Sequence, residues 1–207
     1  MDAAHGLRTN MVDALLERGA SNPSVAPNFG RSSEICAMRV RFKIPVRLLA
    51  EIREDLRRPH RFAHERVGFI VAGLASYTDG VLVLARAYRP VDDGDYLHAP
   101  SVGAMMGPDA IRKAQEFALF KGEAIFHVHS HGGSGLPGFS GVDLRENAKF
   151  VPDFLKVAPQ YIHGAIVLSD DSATGQFWQS RSGRPETIDG FVEVGSPLRK
   201  WGRHGQV

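Results

Sequence analysis

Strand-like and helix-like segments alternate along this chain, and that alternation predicts an α/β fold around one central sheet. Two further observations narrow the reading. At 207 residues, 43% hydrophobic and 23% charged, the chain can bury the core of one domain but is too short for two generous ones. It also carries no internal repeat, so unlike units must build the sheet.

Taken in order, residues 1–37 predict a short N-terminal helix, with Leu7, Met11 and Leu15 in register, followed by a flexible linker rich in Ser, Asn, Pro and Gly. The domain proper is expected over 38–195, opening on MRVRFKIP, which alternates like a strand. Pro45 then starts a helix whose apolar residues Val46, Leu49, Ile52 and Leu56 share a face. Apolar runs at 67–75 and 81–87, joined through Thr78-Asp79-Gly80, predict a hairpin. Residues 89–107 read as a long surface loop, with Met105 and Met106 either shaping an entrance or packing inward. Pro108 suits the first turn of a helix ending near Gly122, with Ile111, Ala114, Gln115, Ala118 and Leu119 in register. Strands are expected at 124–131, 164–169, 175–179 and 190–194, with a helix from Ser140 between the first two. Residues 196–207 read as a short polar tail that frays.

Composition excludes several functions. The net charge is +2, with both signs interspersed, which is no footprint for nucleic acid. The basic run at 53–61 also holds Glu54 and Asp55 and reads as a solvated helix face. A single cysteine, Cys36, permits no intrachain disulfide and no zinc site of several thiolates. It suits a reducing cytosol, so a cytoplasmic protein is expected, with Cys36 an inert core thiol. No run approaches the ~20 apolar residues of a membrane span, and the N-terminus lacks the order of a secretion signal, so no membrane partner is expected.

The informative stretch is AIFHVHSHGGSGLPGFSGVD, residues 124–143. In a strand, His127, His129 and His131 share one face while Phe126 and Val128 take the other. Two imidazoles at that spacing can converge on one metal ion, and both His127/His129 and His129/His131 offer it. Asp143 can return across the loop as an oxygen ligand. Two histidines and a carboxylate leave a fourth position open, the pattern of a catalytic zinc site rather than a structural one. Ser140 and Asp143 also look like a helix start, with Ser140 capping the first amides. Hydrolysis further needs a proton carrier, and Glu65, opening the apolar run ERVGFIVAGLA, is well placed for it. His64 should face away from it, and Glu123 lies farther back on the histidine face.

Glu65, then His129-Ser130-His131, then Ser140-Gly-Val-Asp143 resembles the signature of the JAMM (MPN+) zinc metalloproteases, in particular the compact bacterial JAB type. The resemblance covers roughly residues 38–178. It implies a single MPN/JAB domain with a curved, barrel-like mixed sheet flanked by helices. It implies zinc at His129, His131 and Asp143, Glu65 as general acid/base, and Ser140 stabilising the oxyanion. His127 then becomes a supporting or packing residue. The implied reaction is hydrolysis of the amide bond after the C-terminus of a ubiquitin or ubiquitin-like protein, either deconjugation or precursor processing. Implied partners are that protein or its conjugates, with E1-like and E2-like enzymes, including in anti-phage systems. The rival expectation is a non-catalytic MPN scaffold. Two departures stand out: the family usually has Pro after the second histidine, where this chain has Gly132, and the 132–139 loop is one residue longer. Its glycines predict a mobile loop and an Asp143 less tightly preset.

Overall fold

The computed structural model describes residues 38–59, 63–99 and 103–201, so the helix and linker expected over 1–37, and Cys36, lie outside the described residues. Among the described residues, nine strands form one curled, half-barrel mixed sheet in the order β7-β6-β5-β4-β2-β3-β1-β8-β9. They are β1 (Arg39–Pro45), β2 (Val67–Tyr77), β3 (Gly80–Pro90), β4 (Ala124–Ser130), β5 (His163–Leu168), β6 (Ala173–Trp178), β7 (Glu186–Thr187), β8 (Gly190–Val194) and β9 (Arg199–Trp201). The helices are α1 (Val46–Leu56), α2 (Pro108–Lys121), α3 (Gly141–Phe150) and the single turn α4 (Phe154–Val157). No helix among the described residues is long and apolar enough to cross a membrane.

The expected hairpin is present, β2 pairing antiparallel with β3 across a tight turn. Strand β1 lies parallel to both β3 and β8, and β4 lies parallel to β5, so the sheet is mixed. Period-two alternation divides β4 between two cores. Ala124, Phe126 and Val128 face α1, where Phe126 meets Phe42 edge-to-face with centroids 5.2 Å apart. Such a pair contributes about 0.5–1.5 kcal/mol beyond its buried area. Ile125 faces the opposite core with Phe69, Val71, Phe154 and the alanines of α2. The histidines of β4 therefore open on the side covered by α2, α3 and α4.

Several expectations need correction. In α1 the buried face is Leu48, Leu49, Ile52 and Leu56, while Val46 is exposed, because a helix starting at Val46 turns its first residue away from the sheet. In α2 the sheet contact is Ala110, Ala114 and Ala118, and Leu119 points to solvent: close approach to the sheet selected small residues over large ones. Arg53 is not part of a solvated face, since its guanidinium lies 5.2 Å over the ring of Trp201. Trp201 itself sits on β9, which pairs with β8, so residues 199–201 of the expected tail extend the sheet instead. The 89–107 loop is partly structured, with β3 continuing to Pro90, Tyr96 buried, and a bridge from Tyr96 to Met106. Of the two methionines, Met106 packs against the core and Met105 is exposed.

Candidate metal centre

The antiparallel register of β2 and β4 builds the site. Val67 stands opposite His129 and Phe69 opposite His127, so one step further along both strands brings Glu65 opposite His131. Glu65 lies in a bend two residues ahead of β2 rather than inside the strand, which frees its side chain to turn toward the strand end. Glu65, His129 and His131 bring ligand atoms within 4.8 Å of one another and could hold a metal ion.

Each histidine is fixed by its backbone. His129 is buried within β4, and His131, just past the strand, continues the parallel ladder by donating its N–H to Leu168 O at 3.1 Å. Their Nε2 atoms lie 3.2 Å apart. Asp143 completes the cluster from the first turn of α3, its Oδ1 being 3.5 Å from His129 Nε2 and its Oδ2 3.4 Å from His131 Nε2. A tetrahedral ion with ligand bonds of ~2.0–2.2 Å has ligand–ligand edges of about 3.3 Å. The three separations cluster around that edge, and the nitrogen, nitrogen, oxygen donor set suits a borderline-soft divalent ion. The residues fit the group.

The same atoms cap a helix. Asp143 N–H donates to Ser140 Oγ at 3.1 Å, and Ser140 N–H donates to Asp143 Oδ2 at 2.7 Å, a closed capping box. The helix-start reading of Ser140 and Asp143 thus holds, and the cap steadies the carboxylate from behind while it faces the two histidines. Partial burial acts to raise the Asp143 pKa. The hydrogen bond and charge of His129 and the two Ser140 contacts outweigh it and hold the carboxyl well below the usual carboxylate range. Because Ser140 Oγ accepts from Asp143, its own proton remains free to donate elsewhere.

The glycine loop is held where mobility was expected. Gly132, Gly133 and Gly135 adopt φ of 64°, 67° and 90°, a left-handed backbone that side chains rarely tolerate. That path turns the loop onto the β5–β6 turn. There Asp170 N–H donates to Gly133 O, Gly135 N–H to Asp171 Oδ1, and Ser169 Oγ–H to Gly135 O, each at 2.7 Å. Ser169 and Asp171 thus restrain the loop, and nothing local in the sequence signalled them.

Three more positioning residues escaped the sequence reading. Gly103 O accepts the Glu65 N–H at 2.8 Å, and a Cβ on Gly103 would stand 2.6 Å from Glu65 Oε2, so a side chain there would push the carboxylate aside. Arg66 is buried, pairing with Asp93 at 2.8 Å and donating to the carbonyls of Arg58 and Pro59. Tyr96 Oη accepts from Val67 N–H at 2.9 Å and donates to Val67 O at 3.2 Å. Together they clamp residues 65–67. Glu123 is bound to Arg86 at 3.0 Å, away from the cluster.

His127 is buried beside the site, its ring 5.6 Å from that of His129. Burial, and then the neighbouring His129, push its pKa down to about 3, so the ring is neutral. Both of its nitrogens, His129 Nδ1 and Asn147 Nδ2 close no hydrogen bond. Apart from this cluster, a pocket of about 510 Å³ opens between the β3 end and α2, lined by Phe69, Ala114, Phe117 and Phe120 among others.

No family model matches the chain, and no curated protein matches it. Among solved structures it is similar to the Trichoplax adhaerens STIL N-terminal domain, at 13% identity and a TM-score of 0.34. That match covers 65% of this chain and 39% of the other, so the chain spans well under half of it. Neither comparison names a family.

Proposed function

We propose that this chain is a zinc-dependent peptidase of the JAMM type that hydrolyses the amide bond after the C-terminus of a ubiquitin or ubiquitin-like protein. One observation carries the reading: two imidazoles and a carboxylate at 3.2, 3.4 and 3.5 Å, with a second carboxylate, Glu65, at their edge. The order of those residues, Glu65, His129-Ser130-His131 and Ser140-Gly-Val-Asp143, resembles the JAMM signature, with one residue more between His131 and Ser140.

His129, His131 and Asp143 would hold the ion, which when bound supplies Lewis acidity to polarise a carbonyl and acidify water. Glu65 takes the proton from the attacking water and returns it to the departing amine. The Ser140 hydroxyl donates to the oxygen that gains negative charge at the scissile carbonyl. Gly103 leaves the space that the Glu65 carboxylate fills, and the 169–171 turn fixes the loop between His131 and Ser140. A folded protein substrate suits the exposed apolar surface on α2, where Phe120 is 76% exposed beside the α2 pocket.

Incubation with ubiquitin-like fusion substrates, with and without a zinc chelator, tests the proposal. Cleavage after the ubiquitin-like C-terminus that the chelator abolishes is the expected result. Persistent cleavage in chelator, or none with stoichiometric zinc bound, would count against it. The exposed α2 surface also favours a second reading, a non-catalytic scaffold that binds a partner there. A scaffold need hold no metal, so the metal content of the purified chain separates the two.

A further inference from the structure

The three residues that would hold the ion are not themselves held alike. His129 lies inside β4 and Asp143 in the first turn of α3, but His131 lies past the strand end, outside any strand or helix. Its side chain is also the most open of the three, 27% exposed against 2% for His129 and 19% for Asp143. Directly after it come Gly132 and Gly133, both left-handed and without a side chain to restrict them. An imidazole on a free backbone of that kind must be ordered each time an ion binds, and the ordering costs affinity.

The end of β5 removes that freedom one residue at a time. Leu168, the last residue of β5, stands beside Ser130 in the parallel register. Its carbonyl accepts the His131 N–H at 3.1 Å and the Ser130 hydroxyl at 3.3 Å. Ser130 Oγ in turn accepts the Gly132 N–H at 3.2 Å, and the Asp170 N–H donates to Gly133 O at 2.7 Å. Residues 131, 132 and 133 thus each have one backbone group tied toward the end of β5, and the middle tie passes through Ser130. Strand alternation points the Ser130 side chain away from the two imidazoles, so its hydroxyl acts on the backbone and not on the ion. We propose that Ser130 is a positioning residue for His131, its hydroxyl joining Leu168 O to the Gly132 N–H and so presetting the imidazole before an ion arrives. The inference rests on the metal-site reading and goes beyond it, because it assigns a role to a residue that makes no contact with the ion.

A metal-affinity cycle on the full chain, stripped with chelator and reloaded with zinc or cobalt(II), tests this. Ser130→Ala should weaken zinc binding ~10-fold, the lower end of what residues supporting metal ligands cost. Its melting temperature without metal should barely change, because the Gly132 N–H is exposed and water replaces the lost acceptor. Ser130→Thr keeps the hydroxyl and should bind as the wild type does. In a His131→Ala background, Ser130→Ala should cause no further loss, whereas in an Asp143→Ala background the ~10-fold loss should persist. The cobalt(II) visible absorption should shift in Ser130→Ala and not in Ser130→Thr. In the metal-free chain, hydrogen exchange at the Gly132 amide should be faster in Ser130→Ala. Wild-type affinity in Ser130→Ala would overturn the proposal, as would an equal loss in Ser130→Thr or a loss that persists without His131. A wild-type chain that takes up no zinc or cobalt would instead overturn the metal site, and the positioning role with it.

Discussion

Two buried histidine sites occupy neighbouring strands of one sheet, and they differ in what their nitrogens touch. At β5, His163 is fully satisfied: Nδ1 accepts from Ile125 N–H at 3.1 Å, and Nε2 lies 3.1 Å from Ala158 O, to which it donates. At the far end of β4, His127 and His129 are equally enclosed, yet His129 Nδ1 and both nitrogens of His127 close no hydrogen bond. The first site replaces missing backbone partners where β4 begins. The second leaves donors and acceptors uncommitted beside two carboxylates. Burial alone therefore does not separate the two sites, but the tally of unused nitrogens does.

The comparison breaks most sharply at the working end. Glu65→Gln should cut turnover ~10²–10⁴-fold, the range of a lost general acid/base, while the metal content of the chain stays unchanged. Retained turnover would mean the proton carrier is another group. Gly103→Ala comes next. Its new Cβ must displace the Glu65 carboxylate, and a shift of that kind costs about 10²-fold in kcat with the metal still bound. Unchanged kcat would show that the close approach of Gly103 does not aim Glu65.

At the quiet end the effects are on stability. His163→Ala strands the Ile125 N–H and leaves a cavity, costing about 2–4 kcal/mol in denaturant unfolding with zinc stoichiometry unaltered. Loss of zinc binding in that variant would erase the distinction between the two sites. The same site also makes stability depend on pH. Burial pushes the His163 pKa down to about 4 from the ordinary 6.5, so the fold binds the neutral ring. Its contribution is complete above about pH 6.5 and is lost as the pH falls toward 4, at up to ~1.4 kcal/mol per pH unit. Unfolding midpoints measured across that window should fall less steeply in His163→Gln than in the wild type.

The fold and the site were legible to different depths. Local chemistry carried most elements: the tight turn between β2 and β3, Pro108 opening α2, and the alternation that sets His127 and His129 opposite Phe126 and Val128. The candidate ligands were readable because strand period and helix cap are both local patterns. What stayed hidden depends on contacts between distant segments. The parallel pairing of β1 with β3 and β8 has no local mark, and Trp201 gains its place only through Arg53 and β8. Residues 132–135 looked mobile because three left-handed glycines suggest freedom. Their restraint comes from Ser169 and Asp171, more than thirty residues away. Gly103 offered no signal at all, since its importance lies in a side chain that needs the space it leaves.

Zinc titration of the chelator-stripped chain, followed by competition with a chromophoric chelator, tests the metal site most directly. The wild type and His163→Gln should each bind one equivalent with the same affinity, while Asp143→Ala should lose at least ~100-fold, at or beyond the upper end of what supporting residues cost. A wild type that binds no zinc, or an Asp143→Ala chain that binds as the wild type does, would contradict the account.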